Sequence, residues 1–122
     1  MNPLNVIIVE DNEDDLLLIL RALKKAGYAP LYTCVQTRPE LEAALQEEQW
    51  QMVISDHSMP AFSAPEALQT LQESDRNLPF IIASGTIDEE FAATIIDNGA
   101  DDYVHKGDLS NLVPAVKRVL EK

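Results

Sequence analysis

The reactive side chains of this 122-residue sequence follow short apolar segments. Glu10 and Asp11 follow the first such segment, Asp56 the third, Ser84 the fourth and Lys106 the fifth. An apolar run that is closed by a turn signal is typical of a buried strand. Because the carboxyl ends of parallel strands lie along one edge of an open α/β sheet, we expect these five side chains to meet there.

The combination of these side chains predicts phosphoryl chemistry. Carboxylates at Glu10, Asp11 and Asp56 would repel one another, and a hard divalent cation such as Mg²⁺, which prefers oxygen ligands and retains places for phosphate, would relieve that repulsion. The hydroxyl of Ser84 and the ammonium of Lys106 suit the oxygens of a phosphoryl group. Attack by a carboxylate to give an aspartyl phosphate is an established form of covalent catalysis. We therefore predict a Mg²⁺-dependent phospho-acceptor at Asp56.

Composition excludes several other classes of protein. The chain is 46% hydrophobic and 25% charged, which is ordinary for a globular domain, and we expect residues 1–122 to form a single domain with no room for an output domain. The net charge of −12 argues against nucleic-acid binding and against an anionic membrane surface. The sequence contains neither a membrane-span-length apolar run nor the basic flank of a signal peptide. A single cysteine, Cys34, suits a reducing compartment and predicts a cytoplasmic location.

Strand and helix patterns alternate five times along the chain. This alternation predicts an α/β fold, doubly wound, in which helices cover both faces of a parallel sheet, and Pro30 predicts that the second strand lies at an edge. Strands are predicted at 4–9, 30–35, 52–56, 79–83 and 102–105. Helices are predicted from Asn12 or Glu13 to Ala26, at 39–48, from 65 to about 74, from Thr86 or Asp88 to Asn98, and from a cap at Asp108 with Pro114 in the early turns.

Four motifs at the predicted strand ends also carry a family resemblance. They are Val-Glu-Asp, Ser-Asp-His-Ser-Met-Pro, Ala-Ser-Gly-Thr and Asp-Tyr-Val-His-Lys. Each motif alone is weak, but the ordered set resembles the response-regulator receiver domain (CheY-like) of two-component phosphorelay signalling over essentially the whole chain. The resemblance implies a flavodoxin-like (βα)5 fold with five parallel strands in the order 2-1-3-4-5. It also implies phosphotransfer to Asp56 from the phosphohistidine of a sensor histidine kinase or of a histidine phosphotransfer domain.

The same resemblance assigns roles to individual residues. The surface of the fourth helix, fifth strand and fifth helix would change on phosphorylation and contact a downstream protein, and a homodimer is left open. The protein would assist its own phosphorylation and dephosphorylation and would not otherwise be an enzyme. The implied site consists of Asp11 and Asp56 as direct metal ligands, Glu10 acting mainly through water, the backbone carbonyl of Ser58 as a further ligand, Ser84 as the switch hydroxyl, Tyr103 as the switch aromatic residue and Lys106 as the phosphate-binding lysine.

Four positions depart from the family pattern. Glu10 replaces the commoner Asp, and its longer side chain would alter the affinity for the metal. Ala64 stands where Gly is usual, which predicts a differently shaped loop after Pro60. Gly85 follows the switch serine where Ala is common, which predicts less shielding of the phosphate and more backbone freedom. Gly107 stands where Pro often follows the lysine, so the cis peptide bond that is frequent there is not expected.

The residues of the implied site also have simpler structural interpretations. Asp56 could cap a turn, and Glu10 and Asp11 could favour only a helix N-terminus. Ser84 could cap the fourth helix, although Thr86 is the better candidate for that cap. Lys106 could be an ordinary surface lysine, and Tyr103 could be a static core aromatic residue.

Other residues that could do chemistry are interpreted structurally. Glu13, Asp14 and Asp15 are interpreted as a solvated helix start. His57 and His105 are interpreted as structural, and Cys34 as a buried thiol. The five apolar residues Leu16–Leu20 exceed one buried face of a helix, so they either pack against the sheet and a neighbouring helix or expose one or two side chains for a kinase or phosphotransfer helix.

Three alternative functions compete with the phospho-acceptor. A pseudo-receiver would have the same fold and act as an interaction module without phosphotransfer. A flavin-binding protein would need a hydroxyl- and glycine-rich phosphate loop where this chain has the acidic segment 10–15. A haloacid-type phosphatase would need an acid two residues after the nucleophile, where this chain has Ser58, and cap elements for which the chain is too short.

Overall fold

A five-stranded parallel sheet forms the centre of the protein in this computed structural model. The structure describes residues 2–47, 49–57, 62–85, 88–107 and 109–121. The strands are β1 (Asn2–Val9), β2 (Tyr28–Val35), β3 (Met52–Asp56), β4 (Phe80–Ser84) and β5 (Asp102–His105). The helices are α1 (Glu13–Lys25), α2 (Arg38–Leu45), α3 (Ala64–Glu73), α4 (Glu89–Asp97) and α5 (Leu112–Leu120), and a 3-10 turn at Leu109–Asn111 precedes α5.

The strand order is β2-β1-β3-β4-β5, and every neighbouring pair is parallel. This order confirms the predicted flavodoxin-like fold. The middle strands β3 and β4 are buried along their whole lengths, as expected for strands covered on both faces. β2 lies at one edge, as predicted. The carbonyls of Gly27 and Val35 accept hydrogen bonds from the N–H groups of Asn2, in β1, and Glu10, just after β1. Odd-numbered residues of β2 therefore direct their backbone groups toward β1, and even-numbered residues direct theirs outward. Pro30 thus lacks an N–H only on the outer side of the sheet, where no donor is needed.

The sheet separates two hydrophobic cores. Along β1, Ile7 and Val9 point into the core that includes α2 and α3, and Val6 and Ile8 point into the core that includes α1 and α5. This alternation follows from the period of two residues in a strand. Helices therefore cover both faces and leave the carboxyl ends of the strands at an open edge.

The start of α1 fixes the position of the acidic segment beside the sheet. The side chain of Asn12 accepts a hydrogen bond from the backbone N–H of Asp15 at 3.1 Å and caps the helix. Gly27 follows the end of α1 with a φ of +93°, a conformation that favours glycine. Both ends of α1 agree with the predicted helix to within one residue.

Some predicted boundaries were wrong by two or more residues, and two predicted helix caps fall outside the described residues. α2 ends at Leu45 and not at residue 48. The N–H groups of Gln46 and Glu47 donate to the carbonyls three residues earlier, as in a 3-10 turn, and do not continue the α-helix. The Trp50 indole also donates to the Ala44 carbonyl, at 2.8 Å. β1 and β2 each begin two residues earlier than predicted, at Asn2 and Tyr28. The predicted caps at Thr86 and Asp108 lie outside the described residues. Asp88, the alternative cap of α4, accepts from the N–H of Phe91 at 3.0 Å.

The apolar segment Leu16–Leu20 divides between the core and the surface. Ile19 and Leu20 are buried, whereas Leu17 and Leu18 are 49% and 43% exposed. The prediction that one or two of these side chains are exposed therefore holds. Among the described residues, no helix has both the length and the apolar character needed to cross a membrane.

Candidate functional site

The carboxyl ends of β1, β3 and β5 bring three of the predicted side chains into direct contact. Glu10 follows β1, Asp56 ends β3 and Lys106 follows β5. The Lys106 Nζ lies 2.6 Å from Glu10 Oε1 and 3.2 Å from Asp56 Oδ1. Residues far apart in sequence thus meet at one edge because all three strands run in the same direction.

An acidic cluster lies at the same edge. One carboxylate oxygen from each of Glu10, Asp11 and Asp56 lies within 4.8 Å of the others. Glu10 and Asp56 are buried, with 1% and 7% of the whole residue exposed, and Asp11 is exposed. Three oxygen donors that are open to solvent on one side fit a hard divalent cation, which keeps part of its water shell. The geometry therefore suits Mg²⁺.

The Glu10 carboxylate is held in place by the backbone that follows it. Its Oε2 accepts from the N–H groups of Asp11 and Asn12, at 3.2 and 3.3 Å. Burial raises the pKa of Glu10 above its ordinary value of 4.5 and repulsion from Asp56 adds to the rise, while the hydrogen bond and attraction to Lys106 oppose it. The longer side chain of Glu10 thus stays inside the cluster and contacts Lys106 directly.

Lys106 is the cation that these acids share. Its side chain is only 10% exposed, and its backbone N–H donates to the Ser84 carbonyl at 2.7 Å, which fixes the lysine to the end of β4. Burial disfavours the ammonium, but hydrogen bonds to Asp15 and Glu10, together with attraction to Glu10 and Asp56, outweigh burial and raise the pKa of Lys106 from 10.5 to about 12. Lys106 is therefore fully charged at neutral pH.

Asp15 is a member of the site that the sequence interpretation missed. Its Oδ2 lies 2.8 Å from Lys106 Nζ, so the prediction of a purely solvated helix start was wrong for this residue. The sequence near Asp15 contains no signal for this contact, because α1 begins at Glu13 and the partner, Lys106, follows the distant strand β5. Asp14 is exposed, as predicted.

Ser84 and Tyr103 lie on the neighbouring strands β4 and β5. Ser84 ends β4 and is 1% exposed. Tyr103, in β5, is half-buried and meets the ring of Phe91 edge-on, with ring centroids 6.0 Å apart. Phe91 also stacks on His57 with centroids 3.8 Å apart. His57, the residue after Asp56, is thus half-buried against α4, in agreement with a structural role.

His105 connects the loops that follow β4 and β5. Its Nδ1 accepts from the N–H of Gly107 at 3.1 Å, so the ring proton is on Nε2, which donates to the Gly85 carbonyl at 3.1 Å. A Cβ at Gly107 would lie 2.7 Å from the His105 ring, whereas a Cβ at Gly85 would have open space. A side chain at position 107 would therefore displace the His105 ring, which links the loop after Ser84 to the loop after Lys106.

Two further predictions concern Cys34 and Ser58. The prediction that Cys34 is buried was wrong, because Cys34 lies on the edge strand β2 and is only half-buried. Its Sγ donates to the Glu10 carbonyl at 3.2 Å. Burial, with repulsion from Glu10, raises the pKa of the Cys34 thiol. Ser58, whose carbonyl was assigned as a metal ligand, lies outside the described residues.

Comparison with known proteins identifies the family. The response regulator receiver domain model matches residues 6–117. The chain belongs to the response regulator receiver domain family. Proteins of this family are signalling modules of two-component systems, and they typically bind Mg²⁺ at an acidic pocket.

Individual relatives show the same receiver domain in different proteins. The transcriptional regulatory protein PrrA of Mycobacterium tuberculosis is 28% identical over 120 residues, which cover 96% of this chain and 50% of PrrA. The sensor kinase CckA of Brucella abortus is 30% identical over 122 residues, which cover 96% of this chain and 12% of CckA. The receiver chain thus spans half or less of these curated relatives. A crystal structure of a response regulator receiver domain protein from Clostridium thermocellum has a TM-score of 0.81 at 21% identity, and covers 97% of this chain and 94% of that one.

Proposed function

We propose that this receiver domain accepts a phosphoryl group on Asp56 from the phosphohistidine of a sensor histidine kinase or of a histidine phosphotransfer domain. The observation that supports this most strongly is the contact of the buried Asp56 carboxylate with the Lys106 ammonium, 3.2 Å away, beside two further acids. A carboxylate that only capped a turn would not need a buried lysine.

The transfer step exchanges one bond to phosphorus for another. An Asp56 carboxylate oxygen forms a bond to phosphorus, and the bond from phosphorus to the donor's imidazole nitrogen breaks, leaving its electron pair on that nitrogen. Lys106 donates to a phosphoryl oxygen and stabilises the charge that develops there. Hydrolysis later breaks the bond between Asp56 and phosphorus with water as the attacking group. The domain thus assists its own phosphorylation and dephosphorylation, and we propose no reaction on another substrate.

We assign the metal ligands to the acidic cluster. Asp11 and Asp56 would bind Mg²⁺ directly, Glu10 would act mainly through water, and the Ser58 carbonyl would complete the protein ligands. Bound there, the cation would neutralise charge on the phosphoryl oxygens and align the donor with Asp56. The spacing of the carboxylate oxygens supports this assignment.

Phosphorylation would then change the surface formed by α4, β5 and α5. The new charge at Asp56 provides oxygens to which the Ser84 hydroxyl can donate. Movement of Ser84 would shift the loop after β4 and allow Tyr103 to turn inward, which shifts an equilibrium between two states of that surface. The position of Ser84 at the end of β4 and the half-buried state of Tyr103 support these assignments.

We infer protein partners on two surfaces. The exposed side chains of Leu17 and Leu18, beside the acidic segment, suit the helix of a kinase or phosphotransfer domain. The α4-β5-α5 surface would contact a downstream protein or a second copy of the chain in a homodimer. A net charge of −12 supports protein partners over nucleic acid or an anionic membrane, and the free Cys34 supports a cytoplasmic location. We regard residues 1–122 as one receiver domain.

Intact-mass measurement after incubation with acetyl phosphate tests the proposal. We expect one phosphoryl adduct that requires Mg²⁺ and is absent from Asp56→Asn. If the wild-type domain forms no adduct with acetyl phosphate or with a phosphorylated kinase domain, and also does not bind Mg²⁺, then the pseudo-receiver alternative is correct and the proposal is wrong.

A further inference from the structure

Three carboxylate oxygens lie close to the Lys106 ammonium, which has three N–H donors. Glu10 Oε1, Asp15 Oδ2 and Asp56 Oδ1 lie 2.6, 2.8 and 3.2 Å from Nζ. Lys106 Nζ donates a hydrogen bond to Asp15 Oδ2, so a phosphoryl oxygen that binds Lys106 competes with these carboxylates for the ammonium. The three contacts differ in how readily they can be given up.

Asp15 is the carboxylate that can be replaced most easily. Its side chain is 32% exposed, whereas those of Glu10 and Asp56 are 0% and 9% exposed. A partly exposed carboxylate regains water when it leaves its partner, while a buried carboxylate would be left uncompensated. Glu10 is also fixed by two backbone N–H groups, and Asp56 is the proposed acceptor itself.

The Asp15 carboxylate is not needed to cap α1. An acid at this third helical position often accepts from the N–H of the capping residue. Here the N–H of Asn12 donates to Glu10 instead, and it is the backbone N–H of Asp15 that donates to the Asn12 side chain. Within the described part of the chain, the recorded contact of the Asp15 carboxylate is with Lys106. Neutral variants at this position should therefore retain the start of the helix.

We propose that Asp15 is a positioning residue that holds Lys106 in competition with the phosphoryl group and thereby slows phosphorylation of Asp56. This inference rests on the proposed function. On transfer from acetyl phosphate, Asp56 forms the new bond to phosphorus, acetate leaves with the electron pair of the broken P–O bond, and Lys106 moves one N–H from Asp15 to a phosphoryl oxygen. The negative charge of Asp15 also repels the incoming anion, so both effects slow the reaction. The hydrogen bond to Asp15 is the largest of the contributions that raise the pKa of Lys106 to about 12, in agreement with a strong resting contact.

The test compares neutral variants of two neighbouring acids. Asp15→Asn and Asp14→Asn each remove one negative charge from the first turn of α1, but only the first removes a contact with Lys106. We expect the rate constant for phosphorylation by acetyl phosphate in Mg²⁺, measured by intact mass, to rise about two- to fivefold in Asp15→Asn, since a partly exposed ion pair contributes up to about 1 kcal/mol. Asp14→Asn should remain near wild type, and Asp15→Glu should restore the slower rate. Asp15→Ser provides a second neutral variant if Asp15→Asn is poorly folded.

A dependence on donor concentration separates this role from a general structural effect. In Asp15→Asn the acetyl phosphate concentration for half-maximal rate should fall, while the Mg²⁺ concentration for half-maximal rate should not change. An equal rise in Asp14→Asn, or an unchanged or slower rate in Asp15→Asn, would overturn the inference while leaving Asp56 as the acceptor. A wild-type domain that forms no adduct with acetyl phosphate or with a phosphorylated kinase domain, and that does not bind Mg²⁺, would instead remove the proposed function, and this inference with it.

Discussion

Replacing Lys106 by methionine should destabilise the domain at neutral pH, because Glu10, Asp15 and Asp56 would lose the ammonium that they share. A pKa raised from 10.5 to about 12 corresponds to about 2 kcal/mol in favour of the charged lysine in the folded state. The raised value means that this stabilisation is complete below pH 10.5 and is lost as the pH rises through about 12. Removing one member of a buried pair typically costs about 3–5 kcal/mol, but Asp15 can regain water. We therefore expect a loss of about 2–4 kcal/mol at pH 7.

Urea unfolding at pH 7 without divalent cations measures this loss. The fluorescence of Trp50, which is 8% exposed, can follow the transition. Lys117→Met is the matched control, because Lys117 is exposed on α5 and no ion pair is recorded for it among the described residues. Both variants make the net charge more negative by one. If Lys106→Met is destabilised by less than about 1 kcal/mol relative to Lys117→Met, the argument that a buried ion pair organises the site is refuted.

Two further predictions concern the glycine after the lysine and the titration of Glu10. Gly107→Ala should lower the free energy of unfolding by about 1–2 kcal/mol, because the new Cβ displaces the His105 ring and breaks its two hydrogen bonds. The same urea assay should show a smaller effect for Gly85→Ala, because a Cβ at Gly85 has open space. Equal losses in the two variants would contradict this account. Burial raises the pKa of Glu10, which means that the folded state favours the protonated carboxyl group. The wild-type domain therefore loses stability as the pH rises above 4.5 through the raised pKa. The unfolding free energy of Glu10→Gln relative to wild type should therefore increase between pH 4 and pH 7, and a difference that does not change with pH would contradict the raised pKa.

The sequence predicted the parts of the structure that depend on local pattern. The apolar segment before Asp56 forms the buried strand β3, and Asn12 caps α1 as the acidic first turn suggested. The meeting of Glu10, Asp56 and Lys106 also followed from the sequence, since parallel strands place their carboxyl ends at one edge. These features need only the periodicity of each element and the direction of the strands.

The parts that the sequence did not predict depend on contacts between distant elements. Asp15 was expected to face water because its own helix provides no partner, and only the position of Lys106 after β5 gives it one. α2 ends early because Trp50, in the loop before β3, donates to the Ala44 carbonyl. The stacking of His57 on Phe91 likewise joins the residue after β3 to α4. Local propensity does not contain these tertiary contacts.

The most direct test of the central claim locates the phosphorylated residue. Reduction of an acyl phosphate with borohydride converts the modified carboxyl group to an alcohol, which peptide mapping can assign to a position in the chain. After incubation with acetyl phosphate and Mg²⁺, the account predicts homoserine at position 56 in the wild-type protein, and none when Mg²⁺ is omitted. Reduction product at Asp11 with Asp56 unmodified, or modification of Asp56 at the same rate without Mg²⁺, would contradict the account.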